Sequence, residues 1–148
     1  MLINCASDPW LRQPHSIPRP KGGPKGGRTI RGGAVLDLAV LQARVAAGTL
    51  DEDRVWVATD RCQRDLENER WDYAQVLHLL GCLEPGDFSK AEWCQVKGGA
   101  WYPCDVYRLC YDGERRERNR RGFEVYLKFS VTDDGQLTLV LVSCHGSR

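Results

Sequence analysis

The stretch Phe123-Glu124-Val125-Tyr126-Leu127-Lys128-Phe129-Ser130-Val131 alternates apolar and polar residues without a break. Successive side chains of an extended strand point to opposite faces. The odd positions therefore make an apolar face, and Glu124, Tyr126, Lys128 and Ser130 make a polar one. The turn Asp133-Asp134-Gly135 follows, and Leu137 to Val142 is apolar on both faces, as in an interior strand. The two segments are expected to pair as an antiparallel hairpin. Upstream, Asp105 to Tyr111 and Ser89 to Val96 read as shorter strands, the latter with Ala91 and Trp93 opposite Lys90, Glu92 and Cys94.

Further toward the N-terminus the pattern becomes helical. Asp37 can cap a helix running to about Ala47, with Leu38, Leu41 and Val45 on one face and Gly48 as its stop. Val55-Trp56-Val57-Ala58 is β-prone and too short for a helix, which fits an edge strand ahead of an acidic helix from Asp60 to Glu69. Another helix, from about Asp72 to Leu83, gathers Val76, Leu79, Leu80 and Leu83, and Pro85-Gly86 ends it. Helices first and a meander after predict an α+β domain. Two to three N-terminal helices would pack on one face of a mostly antiparallel C-terminal sheet.

Residues 1–33 differ in kind: five prolines between Pro9 and Pro24 and three glycine pairs leave too little apolar surface to fold. The chain therefore divides into a flexible Pro/Gly/Lys-rich arm, 1–33, and one domain, 34–148. The net charge of +1 conceals a segregation. Residues 1–33 hold six Lys/Arg against one Asp, 34–87 five against eleven acids, and 88–148 ten against eight. A polyanion would meet the arm or the C-terminal half. No apolar run approaches the roughly 20 residues of a membrane span, and no secretion signal is legible, so a soluble cytoplasmic protein without a membrane partner is expected. The seven cysteines are odd in number and contain no C-x-x-C pair, which reads as reduced core thiols. The alternative is a metal site from Cys94, Cys104, Cys110 and Cys144, if strand register gathers them.

Lys90, Arg108, Tyr126 and Lys128 come from three strands yet can share the polar face. Phosphodiester cleavage through a 2′-hydroxyl needs a base, an acid for the 5′-oxygen and cations around the phosphorane, with no metal or other cofactor. Lys and Arg supply the cations, and Tyr126 can stack on a base or hold a phosphate. His145, expected just beyond the last strand, can exchange a proton. Glu92 is a spare candidate base. Arg115, Arg116, Arg118, Arg120 and Arg121 would project from one turn, where Arg116, Arg118 and Arg120 could clamp an RNA backbone.

Asp87-Phe88-Ser89-Lys90, Asp105-Val106-Tyr107-Arg108 and Glu124-Val125-Tyr126-Leu127-Lys128-Phe129-Ser130-Val131 resemble successive motifs of the MqsR family of bacterial toxins. The resemblance covers about residues 36 to 145. It implies a RelE-like fold and a metal-independent endoribonuclease that cuts mRNA and arrests growth until a cognate antitoxin neutralises it. Lys90 matches the lysine of D-F-x-K and Tyr126 the tyrosine of V-Y-L-K, while His145 takes the place of a terminal lysine. The resemblance thus implies Lys90, Tyr126 and His145 as catalytic, and the reading of the polar face adds Arg108 and Lys128 as substrate-binding. Cys104 stands where the family pattern has glutamine, and the basic turn is longer than usual. The alternative expectation is a noncatalytic RNA- or protein-binding module on the same fold.

Overall fold

The computed structural model describes residues 2–3, 17–18 and 28–146. Most of the Pro/Gly/Lys-rich arm lies outside these residues. Within it, β1 (Leu2–Ile3) pairs antiparallel with β2 (Ile17–Pro18). The sheet of the domain begins at β3 (Thr29–Ile30), inside the stretch read as arm, where it lies against the strand that carries Ala91 and Glu92.

The helical half follows the sequence closely. Asp37 accepts a hydrogen bond from the Val40 amide and starts α1 (Leu38–Ala46). The edge strand β4 (Val55–Val57) leads to α2 (Asp60–Glu69), whose cap, Thr59, accepts from the Cys62 amide. The Thr59 hydroxyl also donates to the Val142 carbonyl at 2.9 Å, which ties the start of α2 to the last strand. A reciprocal Asp72–Gln75 capping box opens α3 (Tyr73–Cys82). Caps of this kind contribute about 1 kcal/mol each.

The sheet is built from β5 (Phe88–Gln95), β6 (Trp101–Asp112), β7 (Glu117–Arg118), β8 (Phe123–Asp133) and β9 (Leu137–Gly146) together with β3 and β4. Its order is β3-β5-β6-β8-β9-β4, with β7 on the edge of β6. All pairings are antiparallel except β4 on β9. The interior position of β9 and the edge position of β4 agree with their two-sided and short apolar patterns. At the base of the β6–β8 hairpin, a methyl group on Gly122 would fall 2.2 Å from the Tyr111 carbonyl oxygen, so only glycine fits there.

The inner face packs on the helices: Trp93, Tyr107, Leu127, Phe129 and Leu141 share a core with Leu41, Leu66, Val76 and Leu80. Asp105 is fully buried on this face and accepts hydrogen bonds from the Val35 and Leu36 amides, both at 2.9 Å. The aspartate of the D-V-Y-R motif thus pins the entry to α1 onto the sheet. Two backbone donors offset the cost of burying its charge. On the outer face, Cys94, Cys104, Val140 and Val142 form a smaller apolar cluster with Trp56 and Tyr102.

Candidate functional site

Directly paired residues of an antiparallel sheet point to the same side. Arg108, Tyr126 and His145 are paired in a row across β6, β8 and β9. The next row runs Lys90, Val106, Lys128 and Ser143 across β5, β6, β8 and β9. Glu92 lies opposite Cys104, one further step along β5. The outer face therefore brings together Lys90, Glu92, Arg108, Tyr126, Lys128 and His145, from four strands. His145 belongs to β9 itself, not to a tail beyond it, because the strand continues to Gly146.

Tyr126 is the centre of this arrangement. Its ring stacks on the His145 imidazole with centroids 5.1 Å apart and planes 12° apart. The Arg108 guanidinium carbon lies 5.5 Å from the Tyr126 centroid, and the Lys128 ammonium 5.8 Å. Strand order places Arg108 and His145 on opposite sides of Tyr126. Its ring is therefore enclosed between a guanidinium and an imidazole and cannot serve as a base-stacking platform; only its hydroxyl remains for a substrate. The His145 Nδ1 lies 2.8 Å from the Gly146 carbonyl oxygen. A carbonyl only accepts, so Nδ1 carries a proton, and Nε2 is the ring nitrogen left for a substrate.

Glu92 organises the cations. One carboxylate oxygen lies 2.8 Å from Lys128 Nζ and the other 3.6 Å from Lys90 Nζ. The Lys128 and Glu92 side chains are only 17% and 19% exposed, so this pair is screened less than a surface ion pair. Burial alone would push the Glu92 carboxyl up, but the Lys128 hydrogen bond and the charges of Lys128 and Lys90 hold it below the usual value. Burial would likewise lower the Lys128 ammonium, yet Cys94, Glu92 and Tyr126 outweigh it and hold it above the ordinary lysine range. Glu92 is thus a poor general base. Its part is to hold two ammonium groups in place, and Lys128 acts as a fixed positive charge.

The basic turn departs from expectation. Arg118 pairs with Tyr111, whose side chain belongs to the helix-side core, so Arg118 reaches toward the end of α3. There it contacts Asp87, lies 3.0 Å from the Glu84 carboxylate and donates to the Cys82 carbonyl at 3.2 Å. The Arg116 carbonyl receives the His78 ring nitrogen. These contacts fold the turn onto the helical side, with Arg118 spent on two carboxylates. Arg116 and Arg120 are exposed on that turn and do not join the outer-face row.

The four cysteines do not assemble. Cys94 and Cys104 lie in the outer cluster, Cys144 is buried in the main core and Cys110 is exposed. Among the described residues no group of three or more His, Cys, Asp or Glu side chains is placed to hold a metal ion. Cys104, at the expected glutamine position, is fully buried and its thiol donates to the Tyr102 carbonyl at 3.5 Å. Sequence reasoning passes over two contributors. Asp105 carries a signal, being charged at the same strand parity as Tyr107 and Leu109. Ser143 carries none, because its place beside Lys128 depends on a register shift between Lys128 and Phe129.

No family model matches the chain, and no curated protein and no solved structure matches it.

Proposed function

We propose that this protein is a toxin ribonuclease that cleaves mRNA through the 2′-hydroxyl without a metal ion, in the manner implied by the resemblance to the MqsR family. The observation that carries the reading is the single row Arg108-Tyr126-His145, flanked by two ammonium groups on one carboxylate. Lys128 and Lys90 would hold the non-bridging oxygens of the scissile phosphate, and Arg108 would stabilise the added charge of the phosphorane. His145 Nε2 takes the proton of the 2′-hydroxyl as that oxygen bonds to phosphorus. The phosphorus–5′-oxygen bond then breaks, and the departing oxygen takes a proton from solvent. The products are a 2′,3′-cyclic phosphate and a 5′-hydroxyl. Tyr126 keeps the imidazole in plane and offers its hydroxyl to the phosphate. A cognate antitoxin would be the protein partner, and the cytoplasm the place of action.

Single Ala replacements of Lys90, Tyr126 and His145 test this reading, with cleavage and RNA binding measured on the same preparations. For H145A we expect a cleavage loss of about 100-fold or more at nearly unchanged affinity, the usual weight of a general base. Growth arrest and cleavage unaltered in all three variants would exclude the site. A second reading, a noncatalytic binder, draws on Cys104, which is sealed in the apolar cluster where glutamine is expected to face the substrate. It predicts graded losses of affinity and no turnover in the unaltered chain.

A further inference from the structure

Strands β4 and β5 lie near opposite edges of the sheet, yet their ends meet. The Lys97 amide, just past β5, donates to the Ala58 carbonyl, just past β4, at 3.0 Å, and the Lys97 ammonium lies 3.2 Å from the Asp60 carboxylate. The sheet therefore curls at this end. Trp56 of β4 and Tyr102 of β6 meet across the outer face, with ring centroids 6.3 Å apart and planes 66° apart, although β8 and β9 lie between their strands. The outer face is thus the concave one. The two rings rest on the apolar cluster around Cys104 and Val140 and close one end of the trough, and both remain partly accessible.

This aromatic end wall belongs to the face that carries the candidate site. Trp56 is paired with Val140, and Val140 with Ser130. Tyr126, the partner of His145, precedes Ser130 by four positions on β8, so the two rows lie about 13 Å apart by strand rise. Lys128 stands midway between them. Cys104, beneath the wall, is paired with Glu92, the carboxylate that holds Lys128 and Lys90. Fixed cations therefore occupy the interval between His145 and the two rings, where a phosphate backbone leaving the scissile linkage would run. The Tyr126 ring is enclosed by Arg108 and His145, so a base on this face has to stack elsewhere.

The geometry points to the Trp56–Tyr102 wall as a stacking subsite for single-stranded RNA, taking the base of a nucleotide beyond the two that the scissile linkage joins. The base would lie on the accessible face of Trp56, with Tyr102 edge-on beside it and the intervening phosphate toward Lys128. An aromatic face accepts any base, and partly exposed rings beside fixed cations are the usual means of holding single-stranded RNA. The inference rests on the ribonuclease reading but can fail separately from it.

The test compares the full chain with Trp56→Leu, which keeps apolar cover over the cluster, and Trp56→Phe, which keeps a stacking face. Binding is measured by fluorescence anisotropy with a 2′-O-methyl octanucleotide, which cannot be cleaved. Cleavage is measured on an unmodified octanucleotide and on a dinucleoside monophosphate, which is too short to reach the wall. Trp56→Leu should weaken octanucleotide binding about tenfold. It should also lower octanucleotide kcat/KM about tenfold while leaving that of the dinucleoside within about twofold, and Trp56→Phe should stay within about threefold of the unaltered chain on both. Should Trp56→Leu fail to fold, Tyr102→Leu alters the same wall from β6 and should show the same split between the two substrates. Equal losses on both substrates, or undiminished octanucleotide affinity in the folded Leu variant, would overturn the subsite and leave the ribonuclease reading standing. An unaltered chain that neither binds nor cleaves RNA would overturn both.

Discussion

At the residue scale, each polar side chain acts through what it has left to offer once its neighbours are satisfied. Glu92 holds Lys128 and Lys90, so its removal should release both cations. The Glu92 carboxyl sits below its ordinary 4.5, so the pair contributes stability that is in place above that value and is lost as pH falls through the lowered one. Lys128 sits above its ordinary 10.5, so its share is in place below that value and is lost as pH rises past the raised one. Glu92→Gln should cost about 1 kcal/mol at neutral pH, and the difference from the unaltered chain should shrink as the pH is lowered through the depressed Glu92 pKa in denaturant titrations. An undiminished gap at low pH would show that Glu92 acts by packing. The residue types of the site are legible in the sequence because strand alternation alone puts Tyr126 and Lys128 on one side. Their pairings are not, since the choice of Glu92 as partner of Lys128 depends on how far two long side chains reach across β6.

At the element scale, Asp105 joins the entry of α1 to β6. Asp105→Ala would strand two buried amides and should destabilise the domain by about 3 kcal/mol, read as a lower urea midpoint at unchanged slope. A loss below about 1 kcal/mol would mean that water or a shift of the 34–36 segment restores those hydrogen bonds. The hairpin that carries the basic turn gives a contrasting case. Arg118→Ala breaks its contacts to Glu84 and Asp87 and should raise proteolytic nicking within 113–122 while leaving RNA turnover within about twofold, because Arg118 faces the helices. A large loss of turnover would return that arginine to the substrate side. Helix starts are readable from Asp37, Thr59 and Asp72, whose side chains cap within three residues. The direction in which the basic turn folds is not, because the eight consecutive polar residues from Glu114 to Arg121 carry no periodicity. Only the distant carboxylates Glu84 and Asp87 decide it.

At the scale of the whole molecule, the sheet separates two jobs. Its inner face packs three helices into the core, and its outer face carries Lys90, Arg108 and Lys128, while the basic turn folds toward the helices. No helix among the described residues is long and apolar enough to cross a membrane. If Lys90 and Lys128 meet phosphates, RNA affinity should fall with salt. The slope of log K against log salt should become shallower by about 0.7 in Lys90→Ala for each phosphate that Lys90 neutralises. The measurement that bears most directly on the central claim is an end-group analysis of single-stranded RNA incubated with the purified chain in excess EDTA. The account predicts 2′,3′-cyclic phosphate and 5′-hydroxyl ends, produced about 100-fold more slowly by His145→Ala. Cleavage only after a divalent metal is added, or 3′-hydroxyl ends, would contradict it.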